Sequence, residues 1–401
     1  MEQTSQLSHR VQIMEESQTI GMAKRARELA SRGIDVINLS FGEPDFPTPQ
    51  HIRDAAKKAI DEGFTFYTPV AGYPDLKKAI CEKFRRDNGM EFLPENIVVS
   101  TGAKQSIANV VLCLINPGDE VIIIGPYWVS YLEIVKLAEG VPVVVSGKIE
   151  NNYKPLMKDV EAAVTPRTRM ILYSSPSNPT GAVFHAGELQ ELAAILLRHP
   201  QIIAVADEIY EYINFVGKHE SLGAIDAVKD RVVTINGLSK GFAMTGWRLG
   251  YLAAPKWIAD ACDKIQGQFT SGTNSITQRA AITALTSTME PSQEMTRRFR
   301  IRRDRVLTLS KDLPGFRNMV PDGAFYLFPE VKAYFGKKSA DGQVIANATD
   351  LCMYLLNRAH VSVVPGEAFG APDCIRISFA AADEILEKAF VRMKDALSEL
   401  Q

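Results

Sequence analysis

The sequence predicts an α/β protein with a large, mostly parallel sheet domain and a smaller α+β domain. Short apolar runs alternate with amphipathic helical segments over most of the chain, a pattern typical of a parallel sheet covered on both faces. After Glu290-Pro291 the pattern changes to a long, arginine-rich helical segment and then to further short strands. The chain has 401 residues, more than one domain usually needs, so two domains are expected.

Seven apolar runs are expected to form the sheet of the large domain, because each has the length of a strand and most are rich in β-branched residues. In chain order they are 97–100, 121–125, 141–145, 170–174, 202–207, 232–236 and 250–254. Amphipathic helices are predicted between them, for example at 131–138 and 188–197. The large domain is predicted to span residues 48–290.

The small domain is predicted to combine both ends of the chain, residues 1–47 and 291–401. Its segment 38–45 is expected to form a strand and a turn that lead into the large domain. Its C-terminal part is predicted to begin with a charged helix and to continue with three strands. The helix is predicted at 295–313, and the strands are predicted at 325–328, 361–364 and 375–378.

Composition and charge exclude several classes of protein. Lysine and arginine total 45 against 47 acidic residues, and the net charge of −2 gives no sign of nucleic-acid binding. The longest apolar runs have the length of strands and fall far short of a membrane span. The first residues lack the pattern of a signal peptide, so a cytoplasmic location is expected. The five cysteines are scattered and no histidine has metal-ligand spacing, so no metal site is predicted.

The most informative stretch is 236–248, NGLSKGFAMTGWR, in which Lys240 follows a predicted strand between small residues. A lysine at the end of a buried strand is partly desolvated, which lowers its pKa and makes its amine a nucleophile toward an aldehyde. The small neighbours leave room for a planar cofactor, and Arg248 offers a guanidinium to a phosphate. The alternative, for any lysine taken alone, is a surface position after a strand.

Other segments place chemically suitable residues at strand ends. Residues 100–106 read as a strand end, a glycine turn and a helix start, where free backbone amides bind phosphate. Asp207 ends a predicted strand, Asn178 and Trp128 each follow one, and Arg376 lies inside one. A guanidinium buried in a strand normally meets an anion. Taken singly, a helix cap, a turn and a core tryptophan are the structural alternatives for the first three.

Together these segments resemble the class I aminotransferases, the aspartate aminotransferase family, from about Ile13 to the end of the chain. The resemblance implies fold type I and pyridoxal 5′-phosphate held as a Schiff base on Lys240, the catalytic residue. It also implies that Asp207 faces the pyridine nitrogen and that Trp128 stacks on the ring. The other residues that it implies for cofactor binding are Gly102, Ala103, Lys104, Asn178, Tyr210 and Arg248.

One departure from the family pattern is Gly237, where many members carry a serine that binds the cofactor phosphate. Tyr67 matches a tyrosine that reaches the phosphate of the neighbouring subunit, which implies a homodimer with active sites at its interface. The resemblance also implies the residues that bind substrate: Arg376, Gly42, Trp128 and Asn178 around the α-carboxylate, and Lys104, Ser17 and Thr19 around a distal carboxylate.

The predicted reaction is ping-pong transamination between an amino acid and 2-oxoglutarate, with L-aspartate as the first choice. No arginine lies between Arg248 and Arg279, where one branch of the family carries the arginine that binds an acidic side chain. The run around Lys104 instead resembles the prokaryotic branch. Prephenate, aromatic amino acids and kynurenine are alternative substrates. The other classes considered are a C–S lyase or synthase on the same fold and a non-catalytic domain attached to a DNA-binding module, for which no basic patch is visible.

Overall fold

Twelve strands lie in the part of the chain that the computed structural model describes, residues 6–15 and 18–401. In chain order they are β1 (Ile37–Asn38), β2 (Ile97–Ser100), β3 (Glu120–Gly125), β4 (Val141–Ser146), β5 (Thr168–Ser174), β6 (Ile203–Asp207), β7 (Val232–Gly237), β8 (Gly250–Ala253), β9 (Tyr326–Leu327), β10 (Val361–Ser362), β11 (Val364–Pro365) and β12 (Ile375–Ser378).

The α-helices of the described residues alternate with these strands. They are α1 (His9–Gln12), α2 (Gln18–Ser31), α3 (Gln50–Asp61), α4 (Pro74–Lys83), α5 (Ala103–Leu114), α6 (Ser130–Leu137), α7 (Met157–Ala162), α8 (Ala186–Arg198), α9 (Lys256–Phe269), α10 (Ser275–Thr286), α11 (Glu290–Ser310), α12 (Ala348–Tyr354) and α13 (Asp383–Ser398). One π-helical turn follows α4 at Phe84–Asn88 and another follows α12 at Leu355–Ala359. None of the helices in this part of the chain is both long and apolar enough to span a bilayer.

The main sheet has seven strands in the spatial order β2, β8, β7, β6, β5, β3, β4. Strand β8 runs antiparallel to both of its neighbours, and every other neighbouring pair is parallel, so the predicted α/β class is confirmed. The central strands β3, β6 and β7 are buried almost throughout, whereas the edge strand β4 is half exposed. Because the carboxyl ends of parallel strands share one edge, the residues that follow β2, β5, β6 and β7 meet there.

Two smaller sheets lie outside the main one, and the first of them joins the start of the chain to its C-terminal part. Strand β1 pairs in parallel with β10, and β9 pairs with β12, which also pairs with β11, both antiparallel. One apolar core beneath these strands contains Ile37 and Leu39 from the N-terminal segment together with Phe299 and Leu386 from the C-terminal part. The expected packing of the first segment against the C-terminal part is therefore observed.

Three element boundaries in the C-terminal part differ from the sequence prediction. The single strand predicted at 361–364 is two strands, because 361–362 pair with β1 while 364–365 pair with β12. The strand predicted at 325–328 has only the two residues of β9. The helix predicted at 295–313 begins earlier, at Glu290, where Pro291 fits the first turn, and ends at Ser310.

Candidate active site

The carboxyl edge of the main sheet borders a cavity of about 260 Å³. Its wall brings together most of the residues that the sequence singles out. Of those, the lining residues are Gly42, Ala103, Lys104, Trp128, Asn178, Asp207, Tyr210, Lys240, Arg248 and Arg376. Parallel sheets bind ligands at this edge, so the cavity is the candidate active site.

Lys240 follows β7 and reaches into this cavity. Its ammonium donates a hydrogen bond to the carbonyl oxygen of Gly42 and lies 5.9 Å from the ring centre of Tyr210. Burial lowers the pKa of Lys240 to about 8, because a buried ammonium loses its hydration. A substantial fraction of the amine is therefore unprotonated near neutral pH, as a nucleophile or a proton acceptor requires.

Asp207 ends β6 and is fully buried beneath the cavity. The hydroxyl of Tyr131 donates to its Oδ2 at 2.6 Å, and the amide of Ile209 donates to its Oδ1 at 3.2 Å. Burial raises the pKa of Asp207 to about 6, although the Tyr131 hydrogen bond acts in the opposite direction. Within the described residues the carboxylate forms no salt bridge, so it can receive a cationic group from a ligand.

A phosphate-sized anion is best accommodated where α5 begins. Ala103 and Lys104 form the first turn of α5, whose backbone amides have no acceptors within the helix. Gly102 caps the helix at a φ of +90°, and a Cβ there would collide with the guanidinium of Arg248. Arg248 itself is held by a hydrogen bond from Nη1 to the carbonyl oxygen of Thr245 at 2.9 Å. A glycine is therefore required for the close approach of the helix end to Arg248.

The close approach of a neighbouring strand explains why position 237 is a glycine. Gly237 on β7 pairs with Gly250 on β8, and a Cβ on Gly237 would lie 2.8 Å from the Cα of Gly250. No side chain fits between the two strands at this point, so a serine is excluded. Two residues further on, Ser239 lines the cavity and supplies a hydroxyl beside Lys240.

Arg376 is 2% exposed and carries its charge inside β12. Its Nη1 donates to Oδ1 of Asn178 at 2.9 Å, and its Nη2 donates to the carbonyl oxygen of Ser40 at 2.7 Å. The guanidinium also lies 4.5 Å from the ring centre of Tyr326. Among the described residues Arg376 has no carboxylate partner, and its Nε has no hydrogen-bond acceptor. A buried cation of this kind is a receptor for an anion.

Lys104 supplies a second cation on the same wall. Its ammonium lies 5.0 Å from the ring centre of Trp128, and no described residue forms a hydrogen bond or an ion pair with it. Burial and the nearby charge of Arg248 lower the pKa of Lys104. The tryptophan ring is also in edge contact with Tyr131, 5.5 Å between ring centres.

Tyr67 is a predicted site residue that the structure does not bring to the cavity, and two further predicted contacts cannot be placed within the described residues. Tyr67 lies on the surface with 99% of its side chain exposed, beside the equally prominent Phe66. Ser17 falls outside the described residues. Thr19 lies on α2, and its side chain is outside the described part of the structure. The contacts expected of Tyr67, Ser17 and Thr19 therefore stay predictions.

Several residues on the cavity wall were not found by sequence reasoning. Tyr131 bonds Asp207, and Tyr326 shares a 2.8 Å hydrogen bond with the hydroxyl of Tyr210. Ile20, on α2, reaches the same wall. The sequence could have indicated Tyr131, because it follows Trp128 by three residues, a spacing of about one turn that places two side chains on one face. It could not have indicated Tyr326, whose position depends on the pairing of β9 with β12.

A buried ionic group lies directly behind Asp207. The ammonium of Lys83 forms a salt bridge with Glu211, and Nε2 of His219 lies 3.1 Å from Oε2 of Glu208. Ligand atoms of Glu208, Glu211 and His219 lie within 4.8 Å of one another, as in a metal centre, but here the ammonium of Lys83 supplies the cation. The Glu208 carboxylate raises the pKa of His219, in opposition to burial.

The fold and the cavity define a transferase of the type that binds its cofactor on a lysine at the carboxyl edge of a sheet. The family model for class I and II aminotransferases matches residues 34–392. The chain therefore belongs to the class I and II aminotransferase family, whose members of the aspartate aminotransferase type use pyridoxal 5′-phosphate.

Characterised relatives and solved structures agree over the full length. The aspartate/prephenate aminotransferase of Cereibacter sphaeroides is 44% identical over 390 residues, covering 97% of this chain and 98% of that protein. The bifunctional aspartate and glutamate/aspartate-prephenate aminotransferase of Petunia hybrida is 44% identical over 395 residues, covering 98% of this chain and 82% of that protein. The crystal structure of the aspartate aminotransferase from Rhizobium meliloti matches with a TM-score of 0.96 at 41% identity, covering 99% of this chain and 100% of that one.

The aspartate aminotransferase from Thermus thermophilus with maleate matches with a TM-score of 0.91 at 39% identity, covering 97% of this chain and 99% of that one. Maleate is a dicarboxylate, so that enzyme accepts a ligand with two carboxylates.

The residues on the cavity wall fit pyridoxal phosphate. The cofactor needs an amine, a carboxylate for its ring nitrogen and a binding site for its phosphate. Lys240 has the lowered pKa of a reactive amine, and Asp207 is a buried carboxylate that lacks a cation among the described residues. Because Gly102 has no Cβ, the start of α5 can lie close to the guanidinium of Arg248, where the phosphate would bind. The donor set therefore matches the chemical groups of the cofactor.

Proposed function

We propose that this enzyme is an aspartate aminotransferase that transfers the amino group of L-aspartate to 2-oxoglutarate. The observation that carries the proposal is the presence of two cations without carboxylate partners, Arg376 and Lys104, on the wall that holds Lys240. Aspartate, glutamate and their 2-oxo acids each carry two carboxylates. Arg248, which also lines the cavity and has no carboxylate partner among the described residues, is left for the cofactor phosphate. Arg376 and Lys104 therefore match the two carboxylates of the proposed substrates.

The two cations have different proposed roles. Arg376 binds the α-carboxylate, because it lines the cavity, is held by two hydrogen bonds and has no carboxylate partner among the described residues. Asn178 orients the guanidinium through its 2.9 Å hydrogen bond and is proposed to contact the cofactor as well. Lys104 binds the distal carboxylate, since only the Trp128 ring holds its ammonium.

Proton transfer is the proposed task of Lys240. When bound, the cofactor supplies an electron-withdrawing ring that stabilises the negative charge left on the substrate Cα. The Lys240 amine, with a pKa of about 8, would accept the proton from the substrate Cα and later give it up again. Asp207 keeps a proton on the ring nitrogen, and Tyr131 holds the carboxylate in position.

The remaining site residues are proposed to bind the cofactor. The first turn of α5, from Gly102 to Lys104, and Arg248 hold the phosphate. Ser239 supplies the hydroxyl for which Gly237 leaves no room. Trp128 covers the ring and Tyr210 contacts its phenolic oxygen.

A homodimer is proposed because Phe66 and Tyr67 are the most exposed large side chains of the described residues, at 82% and 99%. In a dimer Tyr67 would complete the phosphate site of the partner. The proposed division of each chain is a large domain at 48–290 and a small domain at 1–47 plus 291–401. The proposed location is the cytoplasm.

Prephenate is the second candidate for the amino acceptor. The relatives from Cereibacter sphaeroides and Petunia hybrida are named for prephenate as well as aspartate. Prephenate also has two carboxylates, so the same pair of cations suits it. Its ring makes it larger than aspartate, and competition between the two acids would show whether they share one cavity.

A donor panel against 2-oxoglutarate tests the proposal. L-Aspartate is expected to give the highest kcat/KM, with parallel double-reciprocal plots that indicate ping-pong kinetics, and prephenate is expected to accept an amino group from aspartate or glutamate. Release of ammonia and pyruvate from a sulfur amino acid without an acceptor would instead indicate a C–S lyase. Borohydride reduction followed by peptide mapping is expected to leave the cofactor on Lys240, and an adduct on another lysine would refute the assignment.

A further inference from the structure

Helices α5 and α9 are antiparallel neighbours whose facing side chains pair at a regular interval. Gln105 donates from Nε2 to Oγ1 of Thr270 at 2.7 Å, and one turn further on Asn109 donates from Nδ2 to Oε1 of Gln266 at 3.0 Å. Each step advances four residues on α5 and goes back four residues on α9. This is the spacing of one helical turn on both sides of the seam.

The next step of the same register brings two cysteines face to face. It pairs Cys113 with Cys262, whose thiols are near enough for each to shift the pKa of the other. Both are free thiols in this structure. Cys262 is 0% exposed, within the apolar core between the helices, whereas Cys113 is half-buried and packs at the margin of that core.

We propose that Cys113 and Cys262 form a redox site in which a hydroperoxide converts the two thiols into a disulfide between α5 and α9. The Cys113 sulfur attacks the peroxide and becomes a sulfenic acid, and the other peroxide oxygen leaves as water. The Cys262 sulfur then attacks the Cys113 sulfur, and the displaced hydroxide leaves as water with the Cys262 proton. Two thiols lose two electrons, and one hydrogen peroxide becomes two waters.

The surroundings assign a different part to each cysteine. Cys113 is accessible to a small oxidant, and the nearby Cys262 thiol lowers the pKa of the Cys113 thiol, which favours the reactive thiolate. The same contact and burial raise the pKa of Cys262, so Cys262 suits the resolving part. The disulfide would fix the far end of α5, whose first turn lines the active-site cavity.

Peptide mapping of the peroxide-treated holoenzyme tests the proposal. Trypsin cleavage after lysine and arginine leaves each cysteine in a peptide of its own: 79–83, 105–136, 257–264, 339–358 and 359–376. The expected product is a cross-link between 105–136 and 257–264, with a loss of two hydrogens that dithiothreitol reverses. The melting temperature of the oxidised enzyme should rise by about 5 °C.

Two kinds of variant sharpen the result. Cys113→Ala and Cys262→Ala should each abolish the cross-link and the rise in melting temperature, whereas Cys81→Ala, which removes another half-buried thiol, should leave both unchanged. Oxidation of Cys113 to a sulfinic acid while Cys262 stays reduced would overturn the proposal. So would a disulfide that joins either cysteine to a different partner. The wild-type mapping alone decides the question if a variant fails to fold.

Discussion

Arg376 and Lys104 are two cations on one cavity wall, and they are held in opposite ways. The guanidinium of Arg376 is fixed by two hydrogen bonds within a buried strand, whereas the ammonium of Lys104 at a helix start contacts only the Trp128 ring. A fixed, planar donor suits the carboxylate that all amino acids share. A mobile point charge suits the part of the substrate that varies. With the proposed roles, rigidity lies where substrates are alike and freedom where they differ.

The largest expected effect is at the fixed end. Arg376→Ala should lower kcat/KM by about 10³-fold for L-aspartate and L-phenylalanine alike, because both lose the same charge-assisted hydrogen bonds. Steady-state assays with both donors measure this, with Arg317→Ala on the surface as the control. A loss of kcat/KM confined to aspartate would assign Arg376 to the distal carboxylate, and the proposed roles of Arg376 and Lys104 would be wrong.

A change away from both cations should not discriminate between donors at all. Asp207→Asn should bind the cofactor yet lose more than about 10²-fold in kcat for both donors, since a neutral amide cannot stabilise a protonated ring. Cofactor content by absorbance and single-turnover rates separate binding from chemistry. A variant within tenfold of the wild type would mean that another group serves the ring nitrogen.

The mobile end should affect one class of donor only. Lys104→Ala should lower kcat/KM for aspartate by about 10–100-fold, as expected for one charge-assisted hydrogen bond, and change phenylalanine far less. The ratio of the two kcat/KM values is the measurement, and Lys136→Ala on α6 is a matched control. Equal losses would indicate damage to the phosphate site at the start of α5, and no loss would assign the distal carboxylate to the N-terminal segment.

The smallest expected effect concerns pH. Burial raises the pKa of Asp207 to about 6 even though the Tyr131 hydrogen bond lowers it. Tyr131→Phe should therefore raise this pKa further, and activity that needs the ionised carboxylate should be lost at a higher pH as the pH falls. We expect a loss of less than tenfold at pH 8 and a larger loss near pH 6 for both donors. If the decline of activity at low pH were the same in the variant and the wild type, Tyr131 would have no effect on the pKa of Asp207.

The sequence predicts the main sheet well because its strands are apolar runs and most of them are buried on both faces. Each of the seven predicted runs lies within two residues of an observed strand, and the residues at their carboxyl ends meet as expected. The prediction of strand boundaries is weaker where they depend on pairing with strands that are distant in the sequence. Whether 361–364 is one strand or two depends on which distant strands its two halves pair with, and these are β1 and β12.

The candidate site was predictable for residues whose chemistry is unusual in their position. Lys240 among small residues, Asp207 after a strand and Arg376 inside one each stand out in the sequence. Tyr326 does not, because a buried tyrosine is ordinary and only the folded structure shows what its hydroxyl meets. Gly237 is a similar case, since the nearness of Gly250 across the strands explains it.

The buried ionic group around Lys83 has a consequence for how this molecule can evolve. Loss of Lys83 alone would leave Glu211 charged and unpaired, at a cost of about 3–5 kcal/mol, a large part of the roughly 5–15 kcal/mol that stabilises a typical protein. Replacing both with apolar residues of similar volume would cost far less. A change that keeps the free energy of unfolding therefore has to replace Lys83 and Glu211 together, because replacing only one of them destabilises the protein.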